Sequence, residues 1–152
     1  MWKHITLISS LVLLGIALAS QQSGSNAQEP PPAAEGKIPE EAAKQVNPVK
    51  QPTPASLAHI KKLYGYDCAM CHGAKGDGQG DLADSMKLKL KDWRDTAALK
   101  DRTDGELFYI ISKGKGQMPA GAEQMKPDEI WTMVIYIRSF AEKVPAAKAA
   151  EQ

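Results

Sequence analysis

Two cysteines and a histidine stand close together in the segment Cys68-Ala69-Met70-Cys71-His72. They are the only two cysteines of the 152-residue chain, so a framework of disulfide bonds is excluded. In this pattern the two thiols form thioethers with the vinyl groups of a haem, and the adjacent imidazole binds its iron. The segment therefore predicts one covalently bound haem c, held by Cys68 and Cys71, with His72 as an axial ligand of the iron.

Other uses of a Cys-x-x-Cys pair fit this sequence less well. A thiol oxidoreductase needs a strand before the pair, whereas the residues here predict a helix. A zinc site needs further ligands, and the other histidines are His4, near the N-terminus, and His59, alone on the predicted helix. An enzymatic alternative is a peroxidase-like haem with an open iron site, which the visible spectrum would distinguish from a closed one.

A methionine is the expected ligand on the other side of the iron. Met118 follows a glycine-rich stretch and precedes Pro119, in a loop that lets its sulfur approach the face opposite the histidine. Met125 also lies in a loop and is the alternative, whereas Met70 lies between the cysteines and Met133 on a regular helix. Two axial ligands leave no position on the iron for a substrate, so the expected function is electron transfer and not catalysis.

Apolar residues at helical spacing predict three helices around this motif. The first begins at Thr53, the second with a capping box formed by Thr103 and Glu106, and the third near Pro127. The sequence shows neither strand alternation nor an internal repeat, so the predicted class is all-α, with three or more helices wrapped around one haem. The predicted domain, residues 53–144, is small for a hydrophobic core, and a buried haem would enlarge that core.

The segments outside this domain differ from it in composition. Residues 1–19 combine Lys3 with an uncharged apolar run and small residues at a cleavage position, as in an export signal; left uncleaved, they would form an N-terminal anchor. Residues 20–52 are rich in Pro, Ala and Gln and predict a disordered linker, and residues 145–152 predict a flexible tail. The expected location is the periplasm, either free or anchored to the membrane and facing the periplasm.

The charge pattern restricts the partners. A formal net charge of +1 gives no reason to expect nucleic acid, and membrane contact is expected only through an uncleaved N-terminus. The expected partners are a redox-protein donor and acceptor. Five lysines could steer an acidic partner, although interspersed acidic residues favour an ordinary solvated surface. These are Lys75, Lys87, Lys89, Lys113 and Lys115.

The combined motifs resemble those of class I c-type cytochromes, over about residues 57–140. The matching positions are Tyr64 before the cysteine pair, the run from Cys68 to Gly73, Met118 with Pro119, and Tyr136-Ile137-Arg138 on the last helix. The resemblance implies the cytochrome c fold, one haem c and the transfer of single electrons between respiratory redox partners. It also implies His72 and Met118 as the two iron ligands.

A second, weaker resemblance indicates which kind of partner to expect. The stretch from Asp104 to Met118, followed by Trp131, is similar to monohaem subunits of alternative complex III and related respiratory assemblies. It implies an alternative function as a membrane-tethered haem subunit that is docked permanently in a larger respiratory complex.

Two stretches near the haem motif, Gly80-Asp81 and Trp93-Arg94, correspond to functional positions of class I relatives. Many relatives have Gly-Pro after the motif, and the proline carbonyl accepts a hydrogen bond from the haem histidine. Here Gly80 is followed by Asp81, although any residue can supply a carbonyl. Trp93 and Arg94 are candidates to reach a haem propionate, as a tryptophan does in some relatives; the alternative for Trp93 is a core aromatic.

Overall fold

The computed structural model of the protein describes residues 36–142, and this part of the chain is helical, with no β-strand. Its helices are α1 (Glu40–Ala43), α2 (Pro54–Leu63), α3 (Ala69–His72), α4 (Asp81–Ser85), α5 (Asp104–Lys113) and α6 (Pro127–Glu142). The predicted all-α class is therefore confirmed. The predicted signal or anchor, the linker residues 20–35 and the predicted tail lie outside the described residues.

The three predicted helices correspond to α2, α5 and α6, and each begins where local chemistry favours a helix start. Thr53 accepts a hydrogen bond from the backbone N–H of Ser56, and Pro54 occupies the first turn of α2. Thr103 and Glu106 form the predicted capping box of α5, each side chain accepting from the other residue's backbone N–H. Helix α5 then ends at Gly114, whose φ of 73° favours glycine.

One turn of π-helix, Tyr64–Cys68, joins α2 to α3 and was not predicted from the sequence. The N–H of Ala69 bonds to the carbonyl of Tyr64, five residues earlier. Such a turn holds one residue more than an α-helical turn, which rotates every later side chain by about 100° around the axis. The two cysteines therefore face a different direction from the one that an unbroken α-helix would give them.

Helix α6 is the centre of the core, since it packs against both α2 and α5. Most of its apolar side chains are buried, and Val134 has no exposed surface. From α2 and its π-turn, Ile60 and Tyr64 join this core, and Leu107 and Ile111 join it from α5. Two faces of α6 are covered in this way, one by α2 and one by α5. The haem motif follows the end of α2.

Within residues 36–52, helix α1 packs on α5 and Asn47 bonds to α6, whereas the sequence predicted a disordered linker here. We call residues 39–50 the N-terminal strap. The Thr103 hydroxyl donates a hydrogen bond to the Ala43 carbonyl (2.8 Å). The buried Asn47 side chain donates one to the Trp131 carbonyl (3.0 Å). Composition gave no sign of this because carbonyls and one amide, rather than large apolar side chains, make the contacts.

Helix α1 of the strap lies so close to α5 that only glycine fits at position 105. A Cβ on Gly105 would overlap the carbonyl oxygen of Ala42 and lie 2.9 Å from that of Gln45. The ordered domain therefore begins before the predicted boundary at residue 53. In the described part of the chain, no helix is both long and apolar enough to cross a membrane.

The strap makes a first prediction. Gly105→Ala should lower the free energy of unfolding by about 1–3 kcal/mol, because the new methyl group forces α1 away from α5. The matched control is Gly65→Ala, where a Cβ meets no atom within 4 Å. Urea unfolding of the holoprotein, followed by far-UV circular dichroism, measures both. Equal midpoints for the two variants would show that the strap does not pack on α5.

Candidate haem site

Cys68, Cys71 and His72 lie at the end of the continuous helical segment formed by α2, the π-turn and α3. Cys68 ends the π-turn, and the other two residues belong to α3. Side chains three and four positions apart share a face of a helix, so the two thiols and the imidazole point to the same side. All three are half-buried. The helix stops at Gly73, whose φ of 76° lies in a region that other residues rarely adopt.

The environment of the motif favours uncharged groups. Burial raises the pKa of the Cys68 thiol to about 11, with smaller contributions from the charges of Asp67 and Cys71. Burial also lowers the pKa of the His72 imidazole. At neutral pH the thiol is therefore protonated and the imidazole neutral, which is the form that binds a metal.

The loop after the motif is fixed to the motif's own backbone. The N–H of Gly78 bonds to the carbonyl of His72 (2.9 Å), and that of Gly80 to the carbonyl of Cys71 (3.1 Å). A Cβ on Gly80 would overlap the carbonyl of Met70, so the loop can approach this closely only with glycine there. The glycines of this segment thus let the loop pack closely enough to fix the backbone around the two cysteines.

Tyr64 connects the motif to the core. Its hydroxyl donates a hydrogen bond to the Gly73 carbonyl (2.7 Å), and its ring packs against Tyr136 and Phe140 at centroid distances of 5.3 and 5.2 Å. Burial, more than any neighbouring charge, raises the pKa of the Tyr64 hydroxyl well above its usual value. Tyr64, the aromatic residue before the cysteine pair, therefore fixes the end of α3 to the core.

Trp93 lies on the ring of His72. The two ring centroids are 4.2 Å apart and the ring planes differ by 19°, which is a stacked arrangement. The Nδ1 atom of His72 is buried, and no residue in the described range accepts or donates a hydrogen bond there. Neighbouring Arg94 is paired with Asp92 (2.6 Å) and lies 3.9 Å from Asp77. Contact of Trp93 or Arg94 with a propionate stays a prediction.

The two candidate methionine ligands differ in their surroundings. Met118 ends a tight turn in which it and Lys115 exchange two backbone hydrogen bonds of 3.0 Å, with Gly116 at a φ of 58°. Its side chain is only partly buried and packs at the edge of the core. Met125 is 7% exposed and belongs to the core, with its methyl group directed at Gly121. To bind an iron, the Met125 side chain would have to give up these core contacts.

These residues fit a covalently bound haem c. Two half-buried thiols on one helical face, a neutral imidazole beside them and an accessible thioether on a separate loop form the required donor set. Sequence reasoning named all four of these residues. It missed the π-turn and the indole stacked on His72; the one signal for the latter was that Trp93 is the only aromatic residue between His72 and Phe108.

Residues 55–137, more than half of the chain, match the family described as "Cytochrome C oxidase, cbb3-type, subunit III". The chain is 33% identical to cytochrome c6 of Leptolyngbya boryana over 89 residues, which are 59% of this chain and 98% of that protein. It is also 33% identical to cytochrome c6 of Cladophora glomerata over 81 residues, 53% of this chain and 85% of that protein.

One similar solved structure is the Kuenenia stuttgartiensis reducing HAO-like protein complex Kustc0457/Kustc0458. It superposes with a TM-score of 0.50 at 23% identity, over 59% of this chain and 46% of that chain. The present chain therefore spans less than half of that protein, and the likeness shows the fold alone. The N-terminal strap lies outside the residues of the family match.

The hydrogen bond from Tyr64 to Gly73 gives a second prediction. Tyr64→Phe should lower the free energy of unfolding by about 1–3 kcal/mol, because the buried Gly73 carbonyl loses its donor. The raised pKa adds a pH dependence. The unfolded chain releases this proton first, near the ordinary value of 10.0, so the contribution of Tyr64 is constant below that pH and is lost above it.

The control for this prediction is Tyr66→Phe, because the Tyr66 side chain is 74% exposed. Denaturant unfolding of both variants between pH 7 and pH 11 measures the effect. We expect the alkaline loss of stability to shrink in Tyr64→Phe and to persist in Tyr66→Phe. The same alkaline loss in both variants would contradict the assignment.

Proposed function

The chain belongs to the cytochrome c family and is an electron-transfer protein with a covalently bound haem c, and we propose that Cys68 and Cys71 form the two thioether bonds. The observation that carries this proposal is the shared helical face of Cys68, Cys71 and His72 at the end of a packed helix. A haem attached there would cover the apolar surface next to the motif and complete the small core.

We propose further that His72 and Met118 are the axial ligands of the iron. The imidazole of His72 follows the second cysteine directly and is neutral, so it can bind without first losing a proton. Met118 is supported by the partial exposure of its side chain and by the tight turn that presents it. Met125 has the opposite environment, because its side chain fills the core.

With both axial positions filled, the protein is a carrier rather than an enzyme. When bound, the haem supplies one reversible one-electron couple. The protein's own residues fix the thiols, the imidazole and the thioether on rigid elements, so little rearrangement accompanies oxidation. They also exclude substrate from the iron, because no coordination position is left open.

We place this carrier outside the cytoplasm, as a soluble periplasmic protein or one held by its N-terminus. The support is the signal-like composition of residues 1–19. The proposed partners are redox proteins that dock near the haem. The five lysines named above are all exposed and therefore accessible to an acidic partner. Exposed Asp67, Asp81 and Asp84 lie on or beside the motif helices, so no single charge dominates that surface.

The thioether bonds can be tested chemically. Both thiols should be consumed by haem, since they are the only cysteines. We expect the haem to stay with the denatured protein after acid-acetone extraction and no free thiol to react with a thiol reagent. Cys68→Ala with Cys71→Ala should yield protein from which any haem extracts. Haem that extracts freely from the unaltered protein would contradict covalent attachment.

The methionine ligand can be tested by a matched pair of variants. Met118→Ala should abolish the weak far-red band of Met–iron ligation and lower the reduction potential, because the axial ligand is a main determinant of that potential. It should also open the iron to carbon monoxide or imidazole. Met125→Ala should keep the band and lose about 2–5 kcal/mol of stability through the cavity it leaves. Loss of the band in Met125→Ala alone would transfer the role to that residue.

A further inference from the structure

We propose that Trp93 is a positioning residue for the iron ligand His72: its indole, stacked on the imidazole, fixes the direction of the imidazole plane. The inference rests on the proposed ligand role of His72. It adds a determinant of the iron's electronic structure that lies outside the haem motif, more than twenty residues further along the chain.

The geometry of the stack is the first support. The rings of His72 and Trp93 are 4.2 Å apart and inclined by 19°, whereas the Tyr64–Tyr136 and Tyr136–Phe140 pairs meet edge to face at 66°. A nearly parallel pair at this distance restricts rotation of either ring, because each would have to push the other aside. The indole therefore acts on the imidazole plane directly.

Both the backbone and the ring of Trp93 have fixed neighbours. The backbone N–H of Trp93 donates a hydrogen bond to the carbonyl of Gly76 (2.7 Å), within the loop that follows the haem motif. The indole ring also stacks with the ring of Phe140, at a centroid distance of 6.5 Å and an interplanar angle of 27°. Gly76 has a φ of 70°, and a Cβ there would come within 2.7 Å of the Phe140 ring. Motif loop, indole and α6 thus form one packed unit.

The surroundings of His72 Nδ1 are the second support. A ligating histidine usually donates its other ring N–H to a carbonyl or carboxylate, which fixes the ring orientation. Here that atom is buried, and none of the residues at 36–142 offers it a partner. The torsion that turns an imidazole plane has broad minima, so without such a hydrogen bond another contact must hold the ring. Trp93 supplies that contact.

The consequence is spectroscopic as well as energetic. The direction of the imidazole plane decides which iron orbitals it overlaps, and this sets the spread of the g values in the electron paramagnetic resonance spectrum of the ferric protein. A ring free to adopt several directions broadens those signals. An imidazole that donates no hydrogen bond is also a less basic ligand, which favours the reduced iron.

The test compares three variants of the purified holoprotein. Trp93→Leu removes the stack, and Trp93→Phe keeps an aromatic ring in it. Trp131→Leu is the matched control, because Trp131 forms an equivalent stack with Phe108 (4.1 Å, 20°) and takes no part in the contacts of His72. The measurements are the ferric g values, the reduction potential and the urea midpoint.

We expect Trp93→Leu to change and broaden the g values and to shift the potential, while Trp93→Phe stays near the unaltered protein. Trp131→Leu should lose stability and keep the g values and the potential. Unchanged g values in Trp93→Leu would overturn the proposal, as would the same change in Trp131→Leu or in Trp93→Phe.

A second measurement needs no variant. In the reduced, diamagnetic holoprotein, nuclear Overhauser effects should join the ring protons of His72 to those of the Trp93 indole. Their absence would overturn the proposal even if Trp93→Leu fails to fold. A failure of the proposed function would be distinguishable from a failure of this inference, because it would appear as missing haem or as a different axial histidine in the unaltered protein.

Discussion

The proposed attachment requires three side chains within five residues to reach one flat ring and its metal, and much of the structure around the motif can be understood from that constraint. If α2 continued as a regular α-helix, the positions of its core residues would fix the directions in which Cys68 and Cys71 point. The π-turn at Tyr64–Cys68 lets the core residues and the cysteines point in different directions, because its extra residue changes the helical register between them. Ile60 and Tyr64 can then be buried against α6, while Cys68 is only partly buried at the edge of the core.

Hydrogen bonds to backbone carbonyls hold the motif in place. Tyr64 binds the carbonyl of Gly73, and the loop returns to the carbonyls of Cys71 and His72. Contacts of this kind need glycine at the points of closest approach, since a single Cβ would collide with the neighbouring backbone. The same solution recurs at Gly105, where α1 lies against α5. Close backbone approach thus supports the apolar core in fixing the loops around the motif.

This distinction explains what could be predicted from the sequence. Helix starts are local, so Thr53 and the Thr103–Glu106 capping box predicted α2 and α5 correctly. The all-α class followed from helical spacing of apolar residues without strand alternation, and the family from the haem motif together with Met118-Pro119. The N-terminal strap could not be predicted, because Asn47 and the carbonyls of α1 give no hydrophobic signal. The stack of Trp93 on His72 joins residues far apart in the chain and has no local signature.

The electrostatics of the site follow from the same packing. Burial raises the pKa of Tyr64 and Cys68 and lowers that of His72, so each of these groups is held in its uncharged form. The charged side chains beside the site are partly buried and paired: Arg94 forms an ion pair with Asp92 (2.6 Å) and lies 3.9 Å from Asp77. Burial of the proposed ligands in a medium of low dielectric would disfavour added positive charge on the iron and so favour the reduced state. The packing that holds these side chains in place would thus also raise the reduction potential.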